Sequence, residues 1–206
     1  MFLPSLLEYS TESLAFKIQK IKQDLPRFFR LTKQKNKIHL HLDIVSRNFA
    51  KDKKVMESLE LESVFGVLEK NFKPESLELS IHLMSDSEDL MAIYKFLEKY
   101  EIPYSHQIFI DPKYLQSFKN SNPWYDLESW FGGIDENYQN FLIMTVFAGK
   151  SGQVLTSEIQ AKSLELIKKH PDKSFILDGG WQLDFNNDYS NLQIVTYSSF
   201  WKQFLD

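Results

Sequence analysis

An alternating stretch over residues 38–44 places two imidazoles and a carboxylate on one face of a predicted strand. His39, His41 and Asp43 fall at every second position, with aliphatic residues between them. Burying such groups together costs free energy unless something satisfies them. Imidazole and carboxylate are ligands of zinc-class divalent metals, so the pattern indicates an enzyme site with a metal. His39 lies deeper by strand position, and we predict that it is a hydrogen-bonded core histidine.

Four other apolar segments also end in polar residues or glycine. They are residues 77–84, 141–146, 175–177 and 192–195. His82 lies near the end of the first segment, and the third runs directly into Asp178, Gly179 and Gly180. Parallel barrels and open α/β sheets build their sites at the carboxyl ends of their strands. We therefore expect these polar residues to share one rim.

Helical patterns alternate with the predicted strands, which is typical of parallel βα units. The predicted helices cover residues 10–25, 55–69, 87–100 and 156–169, and a final helix begins near Ser199. Pro26 is expected to end the first of them. The region around residues 103–140 is the least regular, and it predicts a shortened βα unit. A single α/β domain over residues 1–206 is the simplest interpretation.

The composition excludes several functional classes. The chain has 206 residues and a formal net charge of −4, which gives no basic surface for nucleic acid. No apolar run approaches the length of a membrane span, and the first residues lack the pattern of a secretory signal. The absence of cysteine is compatible with a cytoplasmic location, which we expect, and leaves His, Asp and Glu as the metal ligands.

The same residues resemble the motifs of the ribulose-phosphate 3-epimerase family, which has a (β/α)₈ TIM-barrel fold. Five segments correspond, in family order and over nearly the whole chain: 4–7 to Pro-Ser-Ile-Leu, 41–45 to His-x-Asp-x-Met, 81–84 to a segment with His-Leu-Met, 144–153 to Met-Thr-Val-Asn-Pro-Gly-Phe-Gly-Gly-Gln, and 177–180 to Val-Asp-Gly-Gly. The correspondence is poorest over residues 103–140. The resemblance implies a compact TIM barrel that is often a homo-oligomer in this family.

The resemblance also implies one divalent metal ion, held by His41, Asp43, His82 and Asp178. Asp43 and Asp178 match the catalytic pair: one removes the proton on C3 of a ketose phosphate, and the other returns a proton to the opposite face. A carboxylate with a pKa of ~4 is too weak a base for this proton unless the enediolate is stabilised, which a metal does as a Lewis acid. The ligand set accepts Zn, Fe, Mn or Co.

For the sugar phosphate the resemblance implies contacts from two glycine-rich turns and the turn after the last strand. Backbone amides exposed by glycine, near a helix N-terminus, form an anion site. The residues at the matching positions, with His82 as a further substrate contact, are Gly149, Lys150, Ser151, Gly152, Gly179, Gly180, Tyr197 and Ser198. Lys150 adds a cation that could offset an obstruction of the last of these turns by the Tyr197 side chain.

Several positions differ from the family pattern and leave alternatives open. Glu8 replaces a serine that contacts substrate, and its charge would repel an anionic substrate unless the side chain turns away. Ser46 replaces an aspartate, and Tyr197 replaces a glycine whose amide approaches the phosphate. The first expectation is interconversion of D-ribulose 5-phosphate and D-xylulose 5-phosphate. The alternatives are a six-carbon ketose phosphate such as allulose 6-phosphate, and a diverged phosphate-binding barrel without turnover.

Overall fold

Eight parallel strands form a nearly closed barrel in the computed structural model, which describes residues 1–99, 105–118, 121–127, 129–149, 152–186 and 188–206. The strands are β1 (Phe2–Pro4), β2 (Ile38–Val45), β3 (Leu77–Met84), β4 (Ser105–Ile110), β5 (Ser121–Tyr125), β6 (Asn140–Met144), β7 (Ser174–Asp178) and β8 (Leu192–Thr196). Their order is β1-β8-β7-β6-β5-β4-β3-β2. An isolated parallel bridge between Ser5 and His41 joins the two ends of this order. The predicted (β/α)₈ TIM barrel is confirmed.

Helices alternate with the strands around most of the barrel. They are α1 (Thr11–Gln23), α2 (Leu25–Thr32), α3 (Arg47–Lys53), α4 (Leu61–Glu69), α5 (Ser87–Lys99), α6 (Ser157–Lys169) and α7 (Ser198–Leu205). After β4 and β5 the described chain has only short 3₁₀ turns, Pro112–Ser117 and Ser129–Gly132. The irregular unit predicted around residues 103–140 is therefore present. Within the described ranges, none of the helices is long and apolar enough to cross a membrane.

Two helix boundaries differ from the sequence prediction. Pro26 does not end the first helix: the break falls at Asp24, and Pro26 lies in the first turn of α2, where its missing N–H leaves no intrahelical hydrogen bond unmade. The Asp24 carboxylate stabilises this restart, because it accepts a hydrogen bond of 3.0 Å from the Arg27 amide. The helix predicted from Val55 begins only at Leu61, after the separate short helix α3.

The alternation of the strands divides the apolar residues into two layers. One layer fills the barrel interior and includes Leu3, Phe109 and Leu142. The other lies between the strands and the surrounding helices and includes Leu40 and Phe65. All eight residues of β2 are buried. His41 and Asp43 join the cluster of possible metal ligands inside the barrel, whereas the alternating aliphatic residues Leu40, Leu42 and Ile44 belong to the outer layer. The barrel interior is where the predicted ligands meet.

Candidate metal centre

Three strands bring the four predicted ligands together at the carboxyl end of the barrel. His41 and Asp43 come from β2, His82 from β3 and Asp178 from the last position of β7. The parallel register places Asp43 directly beside His82. One ligand atom from each of the four residues lies within 4.8 Å of all the others. This group could hold a metal ion.

The ligand atoms converge on one point and are shielded from water. His41 Nε2 lies 3.3 Å from Asp43 Oδ1 and 3.8 Å from Asp178 Oδ2. His82 Nδ1 lies 3.1 Å from Asp43 Oδ1 and 3.6 Å from Asp178 Oδ2. Both histidines are fully buried, and the two aspartates are 5% and 8% exposed. Two nitrogens and two carboxylate oxygens therefore face each other in a buried space.

The chemistry of this donor set fits a divalent cation. Two buried carboxylates side by side carry a negative charge that needs a partner, and the two imidazoles supply the nitrogen ligands that zinc-class metals prefer. The outer ring nitrogens, His41 Nδ1 and His82 Nε2, are buried and have no hydrogen-bond partner in the described part of the chain. Metal-ligating histidines usually have such a partner. In this respect the centre is less supported than most metal sites.

The ionisation of the metal-free cluster shows the same demand for positive charge. Burial opposes the ionisation of Asp43, but attraction to His41 and hydrogen bonds from both histidines outweigh it and lower the pKa of the carboxyl group. Burial also opposes the charging of His82, yet its hydrogen bonds to Asp178 and Asp43 raise its pKa to about 9. Near neutral pH the proton on His82 compensates the carboxylates in the way that a cation would.

His39 lies one layer deeper than the four ligands and does not join them. Its Nε2 is 2.9 Å from the hydroxyl of Ser80 on β3. Burial lowers the pKa of His39 to about 4, so the ring is neutral near pH 7. The prediction of a hydrogen-bonded core histidine is confirmed.

Two side chains that the sequence did not single out as site residues also touch the cluster. The Ser5 hydroxyl donates a hydrogen bond of 2.6 Å to Asp43 Oδ2, which leaves Oδ1 for the metal side. The Trp124 ring lies edge-on to His82, with a centroid distance of 4.7 Å. Ser5 had a signal, since it belongs to the Pro-Ser motif at residues 4–7. The contact of Trp124 with His82 could not be predicted, because it depends on the position of β5 in the barrel.

A cavity of about 60 Å³ opens beside the two aspartates. Its wall includes most of the residues predicted to contact phosphate, which the structure thus brings next to Asp43 and Asp178: Gly149, Gly152, Gly179, Gly180, Tyr197 and Ser198. Lys150 and Ser151, predicted for the same role, lie outside the described residues. His82 is fully buried beside Asp43.

The glycines of the cavity wall serve the turns as well as the cavity. Gly180 has φ +77°, and a Cβ there would lie 2.6 Å from the Leu155 amide nitrogen, so the tight turn itself requires glycine. A Cβ on Gly179 would clash with Val146. Gly152 also has a positive φ, but nothing lies within 4 Å of the position of its Cβ. Among these three, only Gly152 leaves open space next to its backbone.

Glu8 does not line the cavity and forms a buried ion pair instead. Its carboxylate pairs with the ammonium of Lys17 and accepts a hydrogen bond of 2.6 Å from the Ser13 hydroxyl. Lys17 Nζ also donates a hydrogen bond of 3.0 Å to the phenolic oxygen of Tyr197. The charge of Glu8 is thus neutralised locally, which removes the repulsion that its position suggested.

No protein-family model matches this sequence, and a comparison with curated proteins gave no match either. The function must therefore be inferred from the barrel and its candidate metal centre. A TIM barrel whose carboxyl end holds a buried cluster of His41, Asp43, His82 and Asp178, able to bind a metal ion, fits a metal-dependent enzyme.

Proposed function

We propose that this chain is a metal-dependent ketose-phosphate 3-epimerase that interconverts D-ribulose 5-phosphate and D-xylulose 5-phosphate. One observation carries the proposal: Asp43 and Asp178, from different strands, line the same cavity and share one cluster with two histidines. The order of the sequence motifs along the chain supports the same reaction. Two carboxylates on separate elements can act as opposed acid and base on the two faces of a substrate.

A divalent metal bound by the four ligands would supply Lewis-acid stabilisation of the charge that develops on the substrate oxygens. The two aspartates move the proton: one carboxylate accepts the hydrogen of C3 as a proton, and the other carboxyl group returns a proton to the opposite face. Each positioned proton transfer contributes typically about 10²- to 10⁴-fold in rate. The hydrogen bond from Ser5 fixes the orientation of the Asp43 carboxylate for this role.

Other residues of the cavity wall support binding of a phosphate group. Ser198 is the first residue of α7 and lines the cavity. The first amides of a helix have no intrahelical partner and bind anions readily. Gly152 adds backbone next to open space. A sugar phosphate bound between Ser198 and the aspartates would have its carbon chain beside the acid–base pair.

Isotope exchange tests this proposal directly. Protein loaded with Mn, Zn, Co or Fe is incubated in D₂O with ribulose 5-phosphate and, in parallel, with allulose 6-phosphate, and deuterium at C3 is followed by NMR. We expect exchange with the five-carbon substrate, and a loss of at least about 100-fold in Asp43→Asn and Asp178→Asn. Asp172→Asn is the matched control, because Asp172 is exposed and remote from the centre. Absence of exchange with every pentulose and hexulose phosphate would reject the proposal.

The size of the cavity favours a second candidate, a phosphate-binding barrel without turnover. Its volume of about 60 Å³ is well below the ~300–1,000 Å³ of typical small-molecule pockets. A five-carbon sugar phosphate therefore requires the residues at the mouth to move apart. Thermal stabilisation by ribulose 5-phosphate without any deuterium exchange would identify this function. A higher rate with allulose 6-phosphate than with ribulose 5-phosphate would instead identify a six-carbon substrate.

A further inference from the structure

We propose that the phenol of Tyr197, positioned by Lys17 and Glu8, donates a hydrogen bond to the phosphate group of the substrate and makes the site selective for phosphorylated ketoses. The inference rests on the proposed function, since it assigns a binding group to the substrate named there. A side chain would then bind the phosphate at this turn, where the family resemblance implies a backbone amide.

The first support is a buried ion pair with no part in proton transfer. The Lys17 side chain is 9% exposed and the Glu8 side chain is 3% exposed. Charged side chains are almost never buried to this degree without a partner. Replacing such a pair with apolar residues is often neutral or stabilising, so stability alone does not explain it. The pair fixes the position of the Lys17 ammonium next to the phenol of Tyr197, a residue of the cavity wall.

The second support is the direction of the hydrogen bonds. An ammonium group only donates, so in the contact of 3.0 Å between Lys17 Nζ and Tyr197 Oη the phenolic oxygen is the acceptor. The phenolic hydrogen is then free to donate, and it has no acceptor among the residues that the structure describes. The ammonium also lies 4.4 Å from the centre of the Tyr197 ring and 4.8 Å from that of Trp201, which holds it against the phenol. A phenol polarised by a cation is a strengthened donor.

The third support is location. Tyr197 lines the cavity together with both aspartates, and it immediately precedes Ser198, the first residue of α7. Tyr197 is thus a residue of the cavity wall that comes directly before the helix amides able to bind an anion. Because Glu8 neutralises Lys17, Tyr197 offers a directed hydrogen bond rather than a net positive charge. Its contribution to binding should accordingly depend little on ionic strength.

Binding and kinetics of Tyr197→Phe test the inference, because this variant removes only the hydroxyl and keeps the ring and the ion pair. Metal-loaded protein is titrated calorimetrically with ribulose 5-phosphate, inorganic phosphate and unphosphorylated ribulose. We expect the dissociation constants of the two phosphates, and KM for the sugar phosphate, to rise about 10- to 150-fold, the range for a hydrogen bond to a charged group. We expect kcat and the affinity for ribulose to stay within about threefold. Tyr138→Phe, at the opposite end of the barrel, is the control for loss of a phenol.

Two further variants separate donation from obstruction. The paired variant Glu8→Leu/Lys17→Met, which leaves no buried charge unpaired, should raise the dissociation constants of the two phosphates in the same direction, while Lys22→Met, on the exposed face of α1, should have no effect. If Tyr197→Phe binds phosphate as tightly as the wild type, or Tyr197→Gly binds it more tightly, Tyr197 obstructs the anion and the inference is wrong. It is also wrong if the wild type binds neither phosphate. If the wild type binds phosphate through Tyr197 and shows no deuterium exchange, the epimerase proposal fails and the binding role stands.

Discussion

Replacing Glu8 with alanine should destabilise the protein strongly, because it leaves the Lys17 ammonium buried without its counter-charge. Breaking a buried ion pair by removing one partner costs about 3 to 5 kcal/mol. The Lys17 side chain is only 9% exposed, so water cannot replace the carboxylate without a local rearrangement. The Ser13 hydroxyl loses its acceptor in the same variant. In a chain of this length each kcal/mol lowers Tm by about 2–4 °C, which predicts a decrease of about 6–20 °C.

Urea unfolding at pH 7 gives the free energy of unfolding for a double-mutant cycle. The cycle compares Glu8→Leu and Lys17→Met with the double variant Glu8→Leu/Lys17→Met, which removes both charges and should recover most of the stability lost in either single variant. Glu12→Ala, an exposed acid in the first turn of α1, is the control and should cost less than about 1 kcal/mol. The reasoning is refuted if Glu8→Ala costs less than about 1 kcal/mol, or if the losses of the two single variants simply add in the double variant.

Three further predictions concern the centre and its turns. A divalent metal at 100 times its dissociation constant should stabilise the fold by about 2.7 kcal/mol, or roughly 5–11 °C in Tm, and His82→Asn should abolish most of this shift; a scan with no shift for Zn, Mn, Co or Fe would contradict the metal site. In the presence of EDTA, stability should fall as the pH rises from about 6.5 to about 9, since the raised pKa of His82 stabilises the folded state only while the ring is protonated. Urea midpoints that are equal at pH 6 and pH 9 would show that His82 is not protonated in the folded protein. Gly180→Ala should cost about 1–3 kcal/mol through its positive φ and its clash with Leu155, whereas Gly66→Ala, inside α4 with nothing within 4 Å, should gain about 0.5–1 kcal/mol; equal effects in calorimetry would overturn the turn argument.

The parts of the site that could be predicted are those with a local signal. The alternation in β2 and β3 fixed which side chains share the barrel interior, and it placed His41 and Asp43 on one face and His82 on the next strand. Asp178 followed from its place at the end of an apolar strand. The common rim followed from the parallel fold, because such strands all present their carboxyl ends at one edge.

The parts that could not be predicted depend on contacts between distant segments. The contacts of Lys17 with Glu8 and Tyr197 join the segment before α1, the helix itself and the turn after β8, so the sequence showed only a carboxylate at an unexpected position. The Trp124 contact with His82 requires the register of β5. The break at Asp24 was missed for a different reason: proline is compatible with the first turn of a new helix as well as with the end of an old one.

The bridge between Ser5 and His41 couples the N-terminal strand β1 to the metal centre. β1 has only three residues, and just beyond it the Leu6 amide donates a hydrogen bond of 2.8 Å to the carbonyl of His41. Separation of Ser5 from β2 would open the barrel between its first two strands and, in the same event, withdraw the Ser5 hydroxyl from Asp43. Amide exchange at Leu6 should therefore slow when the four ligands are tied by a metal. Substitutions at the first residues of the chain would therefore affect the four-ligand centre although they lie outside it.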